Sequence, residues 1–130
     1  RDILELATHV QIQQIAYDRW NPTQLVQQLM GEGLDCLPMG QGFASLSAPS
    51  KELERLLLSQ QLRQDGNPVL RWNISNVMAE YDAAGNVKPS KKKSTEKIDG
   101  VVALVMALGL VIVREQVGAS VYEARGFVSV

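Results

Sequence analysis

The sequence predicts an α/β fold, a mixed sheet flanked by helices, and three observations carry that expectation. Residues 12–17 (Ile-Gln-Gln-Ile-Ala-Tyr) and 34–38 (Leu-Asp-Cys-Leu-Pro) are strand-like and bracket a helix-spaced segment, the pattern of a parallel pair joined by a crossover helix. Residues 80–88 read as a hairpin turning near residues 82–86, where Gly85-Asn86 suits unusual backbone angles. Residues 101–113 contain no charged side chain, so a helix there is expected to be buried on most sides. With 130 residues, 45% of them hydrophobic, the chain is expected to form one domain or a piece of one.

Taken in order, Ile3, Leu4, Leu6, Ala7 and Val10 fall at helical spacing, so residues 2–10 read as an amphipathic helix ending near His9. The strand at residues 12–17 stops at Asp18-Arg19-Trp20, which places Asp18 at a carboxyl end, where ligands gather in open sheets. Asn21 followed by Pro22 has the form of a helix cap, and Leu25, Val26, Leu29 and Met30 supply one apolar face before Gly31-Glu32-Gly33 ends the helix. Residues 40–49 read as a glycine-bearing loop without a phosphate-loop pattern, with Ser47 or Ser50 capping a helix that turns Leu53, Leu56, Leu57 and Leu62 inward. A turn cluster at residues 63–68 precedes a short helix with Trp72 expected inward. Ser94 or Thr95 is expected to start the last helix, and residues 114–130 read as a tail, so the domain is drawn at 1–113 with the tail at 114–130.

Thirteen basic and fourteen acidic side chains give a net charge of −1, which excludes a whole-molecule field drawing the chain onto nucleic acid. Attraction would have to be local, and Lys88, Lys91, Lys92, Lys93 and Lys97 form such a run, read either as a solvated loop or as a phosphate contact. The single cysteine, Cys36, forms no internal disulfide and reads as a small buried side chain. The lone His9 has no second histidine or thiolate near it in sequence, so a Cys/His metal cluster is not expected. As a membrane span, residues 101–113 would reach only about 20 Å against the roughly 30 Å hydrocarbon layer, and no membrane is expected as a partner. The opening Arg1-Asp2-Ile3-Leu4-Glu5 has neither an initiator methionine nor an apolar signal core, and a fragment or processed product is expected.

The acidic residues are then the best chemical candidates, and carboxylates select hard, oxygen-binding ions. Asp99 lies between the lysines and the apolar segment, so a divalent cation or a salt bridge to Lys93 or Lys97 is expected to compensate its charge. Asp18 and Asp99 together could hold magnesium or manganese; as surface carboxylates they need hold nothing.

Five stretches in order extend the reading: residues 15–20 (Ile-Ala-Tyr-Asp-Arg-Trp), residues 41–54 (Gln-Gly-Phe-Ala-Ser-Leu-Ser-Ala-Pro-Ser-Lys-Glu-Leu-Glu), residues 66–72 (Gly-Asn-Pro-Val-Leu-Arg-Trp), Asn76, and residues 97–103 (Lys-Ile-Asp-Gly-Val-Val-Ala). Together they resemble the carboxyl-terminal nuclease domain of tailed-phage terminase large subunits, over nearly the whole chain. The resemblance implies a ribonuclease H-like fold and a divalent-metal-dependent endonuclease that cuts concatemeric viral DNA. It implies Asp18 and Asp99 as catalytic and metal-binding acids of a two-metal Mg2+ or Mn2+ site, with Lys88, Lys91, Lys92, Lys93 and Lys97 beside the DNA backbone. Double-stranded DNA, a small terminase subunit and a portal are the implied partners of the parent protein, in the cytoplasm of an infected or lysogenic bacterium. The competing class is a non-catalytic module that binds DNA or packaging partners.

Two departures bear on these expectations. The family usually carries a histidine in the turn before Gly-Asn-Pro, where this chain has Gln64. The family's first metal-binding aspartate lies on an opening strand expected to precede residue 1, so a partial fold with an incomplete metal site is expected, without the ATPase motor. The edge left open by missing strands is expected to promote homo-oligomers.

Overall fold

The computed structural model describes residues 1–20 and 23–128, with side chains described through residue 120. It divides into two compact units, Arg1–Gln41 and Gly42–Val130.

The first unit opens with α1 (Asp2–His9), whose apolar stripe is only half-covered. Strand β1 (Ile15–Asp18) is followed by α2 (Gln24–Gly31) and β2 (Cys36–Met39), and the strands pair in parallel from Ile15 opposite Cys36 to Asp18 opposite Met39. The expected crossover unit is therefore present. The proposed Asn21–Pro22 cap lies outside the described residues. Helix α2 stops where Gly33 takes φ +86°, a left-handed conformation that costs glycine little, and Leu34 N–H returns to the Leu29 carbonyl at 3.1 Å. Leu29 and Cys36 form the buried centre of this unit. Burial raises the Cys36 thiol pKa, with the nearby Asp35 charge adding to it, so the cysteine behaves as an inert packing residue.

The second unit contains α3 (Phe43–Leu58), α4 (Pro68–Asn76), the hairpin β3 (Ala79–Tyr81) and β4 (Val87–Pro89), and α5 (Asp99–Val128). The strands form two small sheets, one parallel pair and one antiparallel pair, each two-stranded. Helices α3 and α4 pack on α5, and α3 also packs on β4. The hairpin turns where expected. Asp82 Oδ1 accepts from the N–H groups of Ala84 and Asn86, Oδ2 accepts from the Asn86 side chain, and Gly85 supplies φ +81°.

Four local expectations are corrected. Residues 43–49 are helical, with Gly42 at the N-cap, because Leu46, Ser47, Pro49 and Leu53 lie at helical spacing and are buried together. Ser47 does not cap a helix; its buried hydroxyl accepts the Val87 N–H at 3.1 Å and ties α3 to the hairpin. Trp72 is 43% exposed, and Asn73 is the buried residue of α4 at 3%. Helix α5 begins at Asp99 rather than Ser94 or Thr95, and it continues through Val128, past residue 113.

Burial of α5 is also one-sided. Val101, Val102, Val105 and Met106 face the core, while Val111, Val113 and Val117 are exposed. The helical stretch apolar enough to be weighed as a membrane span is longer than residues 101–113. Among the described residues, Asp99–Ser120 is one helix long and apolar enough to cross a membrane by length and composition. Its first turns instead bury a face against α3 and α4, which makes that half the central core helix of its unit.

Candidate functional site

Asp18 is the last residue of β1, as expected from the strand pattern. Its Oδ1 accepts the Trp20 N–H at 3.1 Å, closing a tight turn directly after the strand. Arg19 stacks its guanidinium 5.2 Å from the centre of the Trp20 ring, and Trp20 is 76% exposed. This end of the first unit thus carries a carboxylate, a cation and an open aromatic face within three consecutive residues.

Asp99 is the first residue of α5, where the helix dipole favours a negative charge. The turn beneath it is fixed from α4: Asn73 Oδ1 accepts the Gly100 N–H at 2.8 Å, while Asn73 Nδ2 donates to the Val69 carbonyl at 3.1 Å. A Cβ on residue 100 would stand 3.1 Å from Asn73 Oδ1 and 3.5 Å from Leu70 Cδ1, so glycine permits this close approach. The sequence reading missed Asn73. Its signal was an amide in a helix interior, a position where asparagine is unfavourable unless its side chain has a specific partner.

The lysine loop is knotted by two serines. Ser90 N–H donates to the Met78 carbonyl at 2.8 Å, and the Ser94 hydroxyl donates to the Ser90 carbonyl while accepting the Met78 N–H. Lys93 N–H donates to Ser90 Oγ. These bonds hold Lys91, Lys92 and Lys93 at the surface, and Lys91 Nζ meets Asp99 Oδ1 at 2.8 Å. The salt bridge expected from Lys93 or Lys97 is thus made by Lys91, because the turn at residues 91–93 folds back over the start of α5. Lys88 lies on β4 with its ammonium 5.0 Å from the centre of the Phe43 ring, and Lys97 is exposed.

The hydrogen bond from Lys91 and its charge, with Lys97 adding to them, hold the Asp99 carboxyl below its ordinary pKa of 3.8. A depressed folded pKa stabilises the fold above the unfolded value, and that contribution disappears as pH falls below 3.8 through the folded one. In carbon-detected NMR, the Asp99 carboxyl should titrate below 3.8 and return toward it in Lys91→Met. A midpoint unmoved by that substitution would show that Lys91 is not the counter-ion.

Around Asp99 lies a charged recess of about 200 Å³ lined by Lys91, Glu96, Lys97 and Ile98. A larger cleft of about 330 Å³ in the same unit is walled mainly by apolar residues of α3, the hairpin and α5, including Leu53, Leu57, Val101 and Val105. The carboxylates suit a hard divalent ion by donor type. No group of three or more His, Cys, Asp or Glu side chains able to hold a metal exists among the described residues, so a metal there would need ligands beyond these carboxylates. Asp18 belongs to the first unit and Asp99 to the second.

A parallel strand pair ending in an aspartate, and a helix with one buried face opening on another aspartate beside lysines, define an α/β protein with carboxylates at a strand end and a helix start. The family model for the terminase large subunit, endonuclease domain, matches residues 2–115, and the chain belongs to that family. It is 36% identical over 110 residues to the large terminase subunit of Enterobacteria phage HK97, covering 83% of this chain and 22% of that protein. It is 37% identical over 101 residues to protein YmfN of Escherichia coli (strain K12), covering 76% of this chain and 22% of that protein. The crystal structure of the HK97 bacteriophage large terminase superposes with a TM-score of 0.76 at 35% identity, over 84% of this chain and 23% of that one. The chain therefore spans less than a quarter of the length of these relatives.

Proposed function

We propose that this chain forms part of a divalent-metal-dependent DNA endonuclease that cuts concatemeric viral DNA during genome packaging. The observation that carries the reading is the start of α5, where an exposed carboxylate is kept ionised on a turn fixed from α4. In this reading Asp18 and Asp99 are metal-binding acids for Mg2+ or Mn2+, and further ligands complete the coordination. The bound metal would supply an activated water and neutralise charge at the phosphate. Lys91, Lys92, Lys93 and Lys97, with Lys88, hold the DNA backbone through charge that salt screens.

The acting protein would bind double-stranded DNA and work with a small terminase subunit and a portal in the cytoplasm of a phage-infected or lysogenic bacterium. The open side of the β1–β2 pair is a surface for self-association. A second reading is a non-catalytic module that contacts DNA or packaging partners through the exposed Lys91, Lys92 and Lys93.

Manganese-dependent nicking of supercoiled plasmid separates the two. It is measured on this chain and on the HK97 large subunit with this chain replacing its matched segment. Nicking by either protein, abolished by chelation, supports the nuclease. If both are folded and neither nicks, the binding module is the better account.

A further inference from the structure

Trp20 is the exposed aromatic residue nearest in sequence to a proposed catalytic acid, and nothing above gives it a role. Tryptophan usually buries most of its surface, yet this one is 76% exposed. Its backbone N–H is bonded within the turn after β1. The Asp18 carboxylate holds its N–H at 3.1 Å, and the Arg19 guanidinium lies over its ring at 5.2 Å. The Asp18 bond fixes the turn that sets where the indole leaves the backbone, and the Arg19 cation occupies one part of the ring surface. An indole so held, with a cation beside it, has the composition of a single-strand stacking platform: a flat π-surface for a base and a positive charge for its phosphate.

We propose that Trp20 and Arg19 form a nucleotide-stacking contact, in which the indole takes an unpaired deoxynucleotide of the DNA next to the phosphate served by Asp18. The proposal rests on the nuclease reading and extends it by one binding residue. An intact duplex keeps its bases stacked on one another, so the ligand is DNA with an unpaired or frayed nucleotide. Stacking is tolerant of base identity because every base has a π-face, so the contact adds affinity near the cut without adding a sequence code. Arg19 contributes charge, and its share should fade with salt while the stacking share persists.

The test needs no catalysis. Trp72→Phe leaves Trp20 as the sole tryptophan of the 130-residue chain, which holds two. Its emission is followed, with chelator present, as a duplex oligonucleotide carrying a single-stranded overhang is added. Binding is read in parallel from the anisotropy of a dye on the DNA, with the blunt duplex for comparison. The expected result is quenching of Trp20 that tracks binding and is stronger for the overhang. Trp20→Ala should weaken overhang binding about 5- to 150-fold, the equivalent of one stacked base, and Trp20→Phe should recover most of it. Because Trp20 is exposed, these variants should keep the parent far-UV circular dichroism. If DNA binds while Trp20 emission and the Trp20→Ala affinity stay unchanged, the stacking contact is overturned and the nuclease reading is untouched. If no DNA binds at all, the contact is overturned, and plasmid nicking then decides the nuclease reading separately.

Discussion

Asp99→Asn is expected to reduce manganese-dependent nicking by more than about a hundred-fold while leaving the fold intact. Loss of a partner that merely orients a metal ligand costs about 10- to 100-fold in affinity or activity, and a ligand itself should cost more. The substitution keeps the size of the side chain and removes its charge. Asp99 is two-thirds exposed, so loss of its ion pair with Lys91 should lower thermal stability only slightly. Lys91 would lose its ionised partner and turn to solvent. Nicking by Asp99→Asn at the parent rate would place the catalytic acids elsewhere.

Asn73→Ala should give the largest loss of stability among the polar residues, about 2–3 kcal/mol in urea unfolding, with α5 loosened at its start. The first N–H groups of a helix have no partner within it, and Asn73 supplies one to Gly100 from a neighbouring helix. At 3% exposure, water does not readily replace it. Removing the amide leaves the Gly100 donor and the Val69 acceptor short of a partner at once. Amide hydrogen exchange at Gly100 should speed up more than exchange in the Leu29 and Cys36 core, which belongs to the other unit. An unchanged urea midpoint would mean that the bond to Gly100 contributes little to stability.

Elements fixed by local chemistry were legible in the sequence. The parallel pair followed from two short apolar runs around an amphipathic helix, and the hairpin from Asp82, Gly85 and Asn86. The last helix was legible from its apolar run, but its start at Asp99, directly after the buried Ile98, was not. What escaped the sequence depended on distant partners. Residues 43–49 have the composition of a loop, and their helix is explained by burial of Leu46 and Pro49 with Leu53. Trp72, expected inward, is partly exposed while Asn73 is buried, because the amide meets a backbone N–H 27 residues away, a contact invisible to periodicity. Likewise Lys91, rather than Lys93 or Lys97, reaches Asp99 because of how Ser90 and Ser94 knot the intervening loop.

The central claim is the proposal that Asp18 and Asp99 are metal-binding acids, and manganese binding tests it most directly. Manganese binding would be measured by electron paramagnetic resonance in the HK97 large subunit carrying this chain. The four proteins are the unchanged form, Asp18→Asn, Asp99→Asn and the double variant. A lost carboxylate ligand removes a direct bond to the ion, so each single change should weaken manganese binding at least about ten-fold. Binding indifferent to both changes would contradict the assignment of these carboxylates as metal ligands.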